Sequence, residues 1–170
     1  MANKIMSKNY NESSSIIWWI VGIIIVSTVL IVFFVFKGSF FPKTNREVAL
    51  TCTTEMATQF HIHPNLEIII NGQKQEIPAN IGINSNCMNA IHTHDNTGKI
   101  HVESPEKRDF SLSDFFAVWK KTYNKEQILD YKIDAVHIIR ETVKDKENQD
   151  YENTILHDND QIIISYGEKK

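Results

Sequence analysis

Histidines are concentrated in one part of the chain. Five of the seven fall between residues 61 and 101, and four of these form two His-x-His pairs. Imidazole nitrogens bind zinc, copper, nickel and iron, and three or four of them on rigid elements are enough to hold one divalent ion. The pattern therefore predicts a site for a copper or zinc ion, with one aspartate as a secondary ligand. The residues that we expect to form it are His61, His63, His92, His94, His101 and Asp95.

Each His-x-His pair lies in a segment with the alternating pattern of a β-strand. Successive side chains of a strand point to opposite faces, so the two members of a pair share a face. In the first segment the opposite, apolar face is formed by Ile62, Leu66 and Ile68, unless Pro64 shifts this parity. The sequence leaves open whether the two pairs form one site or two.

The second pair lies in a predicted hairpin, in which residues 88–94 and 99–103 flank a turn at 95–98. His101 on the return strand is then opposite or diagonal to His92, within the roughly 4.5–8 Å range of cross-strand neighbours. His92, His94 and His101 can therefore converge, and Glu103 is a nearby carboxylate.

Other interpretations of the histidines stay open. They could form a structural network of cross-strand pairs and turn contacts, or a pH-responsive cluster, because imidazole titrates near neutral pH. His61, His63 and Glu67 also match half of the cupin motif, but the second half is missing and a mid-chain helix does not suit a jelly roll. His137 and His157 stand alone, and we expect them to be structural.

Signatures of several enzyme classes are missing from the sequence, among them HExxH, GxSxG, the P-loop, GxGxxG and CxxC. No serine or cysteine has an evident histidine partner. A three-histidine site with an open coordination position can be catalytic, so a metallohydrolase is an alternative. The missing signatures outweigh this alternative, so we expect a protein that is not an enzyme.

Residues 16–36 form an uncharged apolar segment, IIWWIVGIIIVSTVLIVFFVF. As a helix, its 21 residues would span roughly 31 Å, the thickness of the hydrocarbon core of a bilayer. Trp18 and Trp19 near one end and phenylalanines at the other are typical of membrane interfaces. The segment predicts a single transmembrane helix with the lipid bilayer as its partner, preceded by a tail over residues 1–15.

The chain has two cysteines, Cys52 and Cys87, and both follow this segment. An even pair without CxxC spacing is typical of a disulfide in an oxidising compartment, and two buried thiols are the alternative. Lysines flank the apolar segment on both sides, so the positive-inside rule does not choose an orientation. Because the cysteine pair indicates an oxidising compartment, we place the N-terminus in the cytoplasm and residues 38–170 outside it.

The composition allows one modest domain after the helix. The 170 residues are 42% hydrophobic and 23% charged, with a net charge of −3. These values exclude a multidomain enzyme, a disordered chain and a strongly basic nucleic-acid binder. We expect a juxtamembrane linker over 37–50, one domain over 51–170, and no nucleic acid among the partners.

Hydrophobic periodicity predicts a two-layer α+β domain. Residues 112–119 carry apolar side chains at i, i+3, i+4 and i+7, which predicts a helix. Ser111 directly before this segment can cap it, with Asp114 three residues later as its partner. Strands on both sides of Asn71 and Gly72 predict a hairpin. One main helix on a mixed or antiparallel sheet gives this fold class.

The C-terminal half is less regular. We expect strands over 133–140 and 161–165, a helical turn over 125–130, and a solvated loop over 141–153. The ending LHDNDQIIISYG resembles the last turn and strand of β-grasp domains, with Asn159 at the usual glycine position, where it tolerates the left-handed conformation. The fold class is therefore α+β, with a β-grasp-like domain after the transmembrane helix.

Four segments together resemble a largely uncharacterised group of extracytoplasmic, singly membrane-anchored archaeal and bacterial proteins. They are HIHPNLEIIINGQKQEIPANIGI, Cys87, IHTHDNTGKIHVESP and FSLSDFFAVW. The match covers about residues 60–120 and the ILHDNDQIIISYG ending. The resemblance implies an external location and a single domain, with no assigned reaction. The richness in Ile, Asn and Lys suggests an AT-rich genome, and an archaeal source is a guess. Met88, Asn89 and Ala90 stand where this group has an aromatic residue.

Two functions from different classes follow. The first is a membrane-anchored, extracytoplasmic module that binds copper or zinc through the histidines. The second is a non-catalytic accessory subunit of a larger membrane complex, in which the histidines are structural. A stoichiometric metal would favour the first function, and co-purification with a complex in the absence of metal would favour the second.

Overall fold

The computed structural model describes the backbone of residues 7–40, 42–54 and 58–169 and the side chains of residues 15–36, 42–54 and 58–169. The chain divides into two compact units, residues 1–42 and 43–170. The second unit begins inside the segment that we expected to be a linker.

The first unit contains helix α1 (Ser7–Phe40). Its stretch Ser15–Phe36 has a mean hydropathy of 2.9 and is exposed throughout. Inside this stretch the hydroxyls of Ser27 and Thr28 donate to the carbonyl of Ile24, so these two polar groups are satisfied within the helix. The helix is therefore long and apolar enough to cross a membrane, as the sequence predicted.

The second unit combines short helices with many strands. Its described helices are α2 (Asn45–Leu50), α3 (Leu112–Trp119) and a 3-10 helix at Tyr151–Asn153. Its described strands are β1 (Cys52–Thr53), β2 (Phe60–Ile62), β3 (Asn65–Ile70), β4 (Gln73–Gln75), β5 (Ile83–Asn84), β6 (Cys87–Asn89), β7 (Ile91–His92), β8 (His101–Ser104), β9 (Tyr123–Asn124), β10 (Gln127–Ile128), β11 (Tyr131–Lys132), β12 (His137–Val143), β13 (Lys146–Asn148) and β14 (Gln161–Glu168).

The largest sheet has five strands in the order β13-β12-β14-β3-β4. Its central pair, β14 and β3, is parallel, and the other neighbours are antiparallel. Two hairpins therefore flank a parallel pair made by an early strand and the last strand, which fits the β-grasp resemblance. The expected α+β fold, with a mixed sheet and one main helix, is confirmed.

Local signals form the elements as expected. Asn71 and Gly72 both have positive φ (51° and 80°), the geometry of a two-residue hairpin turn between β3 and β4. Helix α3 begins after Ser111, whose backbone N–H donates to Asp114 Oδ2 at 2.9 Å. Apolar side chains of α3 and of alternate positions on β3 and β14 share one core, among them Phe115, Ile68 and Ile164.

Three sequence-based expectations were wrong. Residues 125–130 do not form a helical turn, because they form the short strand β10 and the two turns that connect it to β9 and β11. The expected solvated loop 141–153 holds the end of β12, all of β13 and the fully buried Glu141. Residues 45–50 of the expected linker form α2, in which Ala49 is buried in the core.

Cys52 and Cys87 form the expected disulfide. Cys52 lies on β1 and Cys87 on β6, which pair antiparallel in the three-stranded sheet β1-β6-β5. The bond therefore ties two neighbouring strands of one small sheet, and β6 leads directly into the segment that carries His92.

Candidate metal centre

A three-stranded antiparallel sheet, β2-β8-β7, positions the histidines. In its register His61 lies opposite Glu103, and His101 on the central strand lies opposite His92. Directly opposed residues of antiparallel strands project from the same face. The register therefore gathers histidines on one face of this sheet, while the alternate residues Ile62 and Val102 are buried in the core.

Pro64 separates the strand that carries His61 from β3. The sequence suggested one continuous apolar face from Ile62 to Ile70, and these side chains are indeed buried. They lie on two strands of different sheets, because β2 pairs with β8 and β3 pairs with β14. This break aligns the first His-x-His pair with β8.

His101 lies between the two His-x-His pairs. Its ring centroid is 4.6 Å from that of His63 and 4.6 Å from that of His94. The ring of His92 is 5.5 Å away, and that of His61 is 6.0 Å away. The five predicted histidines therefore form one cluster.

Within the cluster, two groups of three histidines could hold a metal ion. We call His92, His94 and His101 the inner group, and His61, His63 and His101 the outer group. In each group the candidate ligand nitrogens lie within 4.8 Å of one another. His101 belongs to both groups.

The inner group contains the buried imidazole of His92. Its Nδ1 donates to the carbonyl of Asn89 at 3.0 Å, so its Nε2 carries a lone pair. This lone pair accepts from the Nε2–H group of His94, and the two nitrogens are 3.2 Å apart. Two nitrogens on a tetrahedral zinc ion, with bonds of roughly 2.0–2.1 Å, are about 3.3 Å apart. The pair therefore has the spacing of two ligands, and the Asn89 carbonyl fixes the tautomer as a second-shell acceptor does in metal sites.

The outer group is held by acidic residues. Nε2 of His61 lies 3.1 Å from Oε1 of Glu103, its cross-strand partner. The backbone N–H of His63 donates to Oδ1 of Asp158 at 2.8 Å. Because Glu103 accepts from Nε2 of His61, the Nδ1 atom of that ring is available to an ion.

Burial and crowding lower the pKa of three imidazoles of the cluster. Burial, reinforced by the four neighbouring histidines, lowers the pKa of His101 from 6.5 to about 4. Burial also lowers the pKa of His92, although its bond to Asn89 opposes this effect. The pKa of His63 is lowered by burial and by His61. Neutral imidazoles offer the lone pairs that a metal ion requires.

Asp95, the expected secondary ligand, has another role. Its Oδ1 accepts from the backbone N–H and the hydroxyl of Thr97, so the carboxylate shapes the turn between β7 and β8. Among the described residues, neither three-histidine group includes Asp95. The remaining histidines lie in other contacts: His137 binds Asp134, and His157 binds Asp160.

Sequence reasoning missed Asn89. Its carbonyl orients His92, and its side-chain amide donates to the carbonyl of Ala49 at 2.9 Å, which connects the site to α2. A backbone carbonyl leaves no mark in the residue type, so no sequence signal could have revealed it.

Comparison of the chain with protein-family models, with curated proteins and with solved structures found no match. The resemblance to extracytoplasmic anchored proteins therefore stays a prediction. The case for function depends on the geometry of the chain itself, which combines a helix able to cross a membrane, an intrachain disulfide and clustered histidines that could bind a metal ion.

Proposed function

We propose that the chain is a membrane-anchored, extracytoplasmic module that binds one copper or zinc ion through its clustered histidines. The observation that carries the proposal is the convergence of both His-x-His pairs on His101, across the register of three strands. Each group supplies three imidazole nitrogens and leaves coordination positions open, as in sites that bind or exchange an ion.

A bound metal ion would explain why five imidazoles are packed together, which a purely structural network does not explain. Burial, together with the packing of five imidazoles, penalises the protonation of His101 and lowers its pKa to about 4. Within the inner group, nitrogens of His92 and His94 face each other at 3.2 Å. A shared cation would replace this contact with two coordinate bonds.

The helix α1 and the disulfide support the proposed location. Because a disulfide persists in oxidising compartments, we propose that the second unit lies outside the cytoplasm and the N-terminus inside it. Protease added to intact spheroplasts should therefore digest the second unit, and digestion only after lysis would contradict this topology.

Metal content is the first test. The full chain, without a His tag, would be purified in detergent under oxidising conditions, and its metals measured by elemental analysis before and after a chelator wash. We expect about one zinc or copper ion per wild-type chain. The double substitution His92→Ala/His94→Ala should lose it in the wash. His157→Ala is the matched control, because this histidine is 71% exposed and contacts Asp160 instead of the cluster.

A wild-type chain that folds, forms its disulfide and binds neither ion would overturn the proposal. The accessory-subunit function would then be favoured, and co-purification of a membrane partner would test it. If metal is found, competition between Cu(I), Cu(II) and Zn²⁺ for the wild-type chain would identify the preferred ion, because three imidazoles suit both elements.

A further inference from the structure

The two histidine groups share a ligand. Ring contacts run from the outer pair, His61 and His63, to His101, and from His101 to the inner pair, His92 and His94. An ion in either group would therefore be bound by the same central residue. Two independent sites would not share a ligand, whereas here an ion could pass from one group to the other while His101 stays bound to it.

We propose that the two groups are successive positions of a single ion, so that the module transfers metal between solvent and a buried resting position. This inference depends on the proposed metal binding and specifies its purpose. The ion enters at the outer group and rests at the inner group. His101 remains bound to it in both positions.

Charge favours one ion at a time. The ligands of both groups are imidazoles, which bring no negative charge, and two divalent ions a few ångströms apart would repel each other with four times the energy of two unit charges at that distance. Among the described residues, Glu103 contacts the ring of His61 and Asp158 accepts from the backbone N–H of His63. These two carboxylates together offset the charge of one divalent ion. The cluster therefore has enough ligands for two ion positions, but enough negative charge nearby for one ion.

Burial differs between the two groups at one ligand. Each group has one exposed histidine, His61 in the outer group and His94 in the inner group. The remaining ligand beside His101 is the half-buried His63 in the outer group and the fully buried His92 in the inner group. The inner position is also better organised, because the Asn89 carbonyl already holds the ring of His92. The inner histidines should therefore hold an ion more tightly than the outer ones, which makes the inner group the resting position.

The step is a ligand exchange without redox change. Bonds from the ion to His61 and His63 break, bonds to His92 and His94 form, and the bond to His101 persists. His92 accepts the ion at Nε2, since its Nδ1 carries the proton that binds Asn89. His94, which is exposed, releases its Nε2 proton to water and takes one at Nδ1.

Zinc exchange by the full chain in detergent tests the proposal. Zn²⁺ is titrated for stoichiometry, and its uptake and its removal by a chromophoric chelator are followed by stopped flow. We expect one ion per wild-type chain. His61→Ala/His63→Ala should still bind one ion, with a smaller loss of affinity than the inner double substitution, while uptake and removal slow tenfold or more. His92→Ala/His94→Ala should weaken affinity at least tenfold and keep exchange fast.

The double substitution His137→Ala/His157→Ala is the matched control and should behave as wild type. Near-ultraviolet circular dichroism and an intact disulfide establish that each variant is folded. Two ions bound together by the wild-type chain, or wild-type exchange rates in His61→Ala/His63→Ala, would overturn the transfer proposal and leave metal binding standing. No zinc or copper bound by the wild-type chain would overturn the proposed function itself.

Discussion

Glu141 is a carboxylate buried in the core of the second unit. It lies on β12 at a position whose side chain is inaccessible to solvent. The hydroxyls of Tyr123 and Thr154 and the amide of Asn148 all donate to it, the last at 2.6 Å. Burial raises the pKa of Glu141, and burial beside this acid raises the pKa of Tyr123. A single acidic residue thus fixes β13, β9 and the end of the 3-10 helix relative to one another.

Removal of this carboxylate should destabilise the fold strongly. Glu141→Ala leaves three buried donors without an acceptor and creates a cavity, which we expect to lower the free energy of unfolding by roughly 3–5 kcal/mol. Glu141→Gln preserves the shape, and the Tyr123 hydroxyl can turn to accept from the new amide, so it should cost about 1 kcal/mol or less. Denaturant titration of both variants measures the difference. Equal losses would show that the hydrogen bonds are unimportant.

The raised pKa of Glu141 predicts that stability depends on pH, which a comparison of the wild type with Glu141→Gln can test. Because the folded pKa of Glu141 is raised above 4.5, the folded state binds more protons than the unfolded state between these two values. Wild-type stability should therefore fall, relative to Glu141→Gln, as pH rises from 4.5 through the folded pKa. Melting temperatures of the two proteins from pH 4 to pH 8 measure this. A difference that stays constant across this range would contradict the raised pKa.

At the scale of elements, the β7–β8 hairpin is held against β3. The backbone N–H of Leu66 donates to the carbonyl of Gly98 at 2.9 Å, and that of Ile100 donates to the carbonyl of Pro64 at 2.9 Å. Gly98 has φ +91°, and a Cβ atom there would lie 2.2 Å from the carbonyl oxygen of Leu66. Glycine is therefore required for the approach that brings His94 and His101 to their positions.

Gly98→Ala should disturb both stability and metal binding. The positive φ alone costs roughly 1–2 kcal/mol, and the contact with Leu66 must add to it by displacing the hairpin. Gly72→Ala is the matched control, because Gly72 also has positive φ but has no neighbour within 4 Å of a Cβ atom. We expect calorimetry to show a larger loss for Gly98→Ala, and zinc affinity to fall in that variant only. Similar behaviour of the two variants would contradict the role of this contact.

At the scale of the whole molecule, the disulfide is the covalent link within the second unit. It joins residues separated by 35 positions. Cross-linking a loop of this length removes entropy from the unfolded chain worth about 3–4 kcal/mol. The disulfide therefore supplies a large share of the stability that a single domain of this size commonly has.

Loss of the disulfide should lower stability by that amount. We expect Cys52→Ser/Cys87→Ser to unfold about 3–4 kcal/mol more easily in denaturant than the oxidised wild type. The reduced wild-type chain, kept in excess dithiothreitol without metal, should match the variant. Unfolding midpoints of the variant and of the reduced chain equal to that of the oxidised chain would show that the bond is dispensable.

Local signals made much of the fold predictable. Composition alone identifies the apolar part of α1, because crossing a bilayer requires only length and hydropathy. Helix α3 follows from its capping pair and apolar stripe, and the β3–β4 hairpin from Asn71 and Gly72. Strand alternation also predicted that the members of each His-x-His pair share a face. Each of these inferences depends on residues only a few positions apart.

Tertiary structure decided the rest, because pairing between distant strands depends on register that no local pattern specifies. The break at Pro64 places His61 beside Glu103 and brings the first histidine pair to His101, 38 and 40 positions away in the chain. The Asn89 carbonyl became a partner of His92 only through backbone geometry. Glu141 is charged in the sequence and buried in the fold, because its alternate position on β12 faces the core. The sequence by itself determined the helix that is apolar enough to cross a membrane, the cysteine pair and the candidate imidazole ligands, and the fold alone decided that five histidines form one cluster.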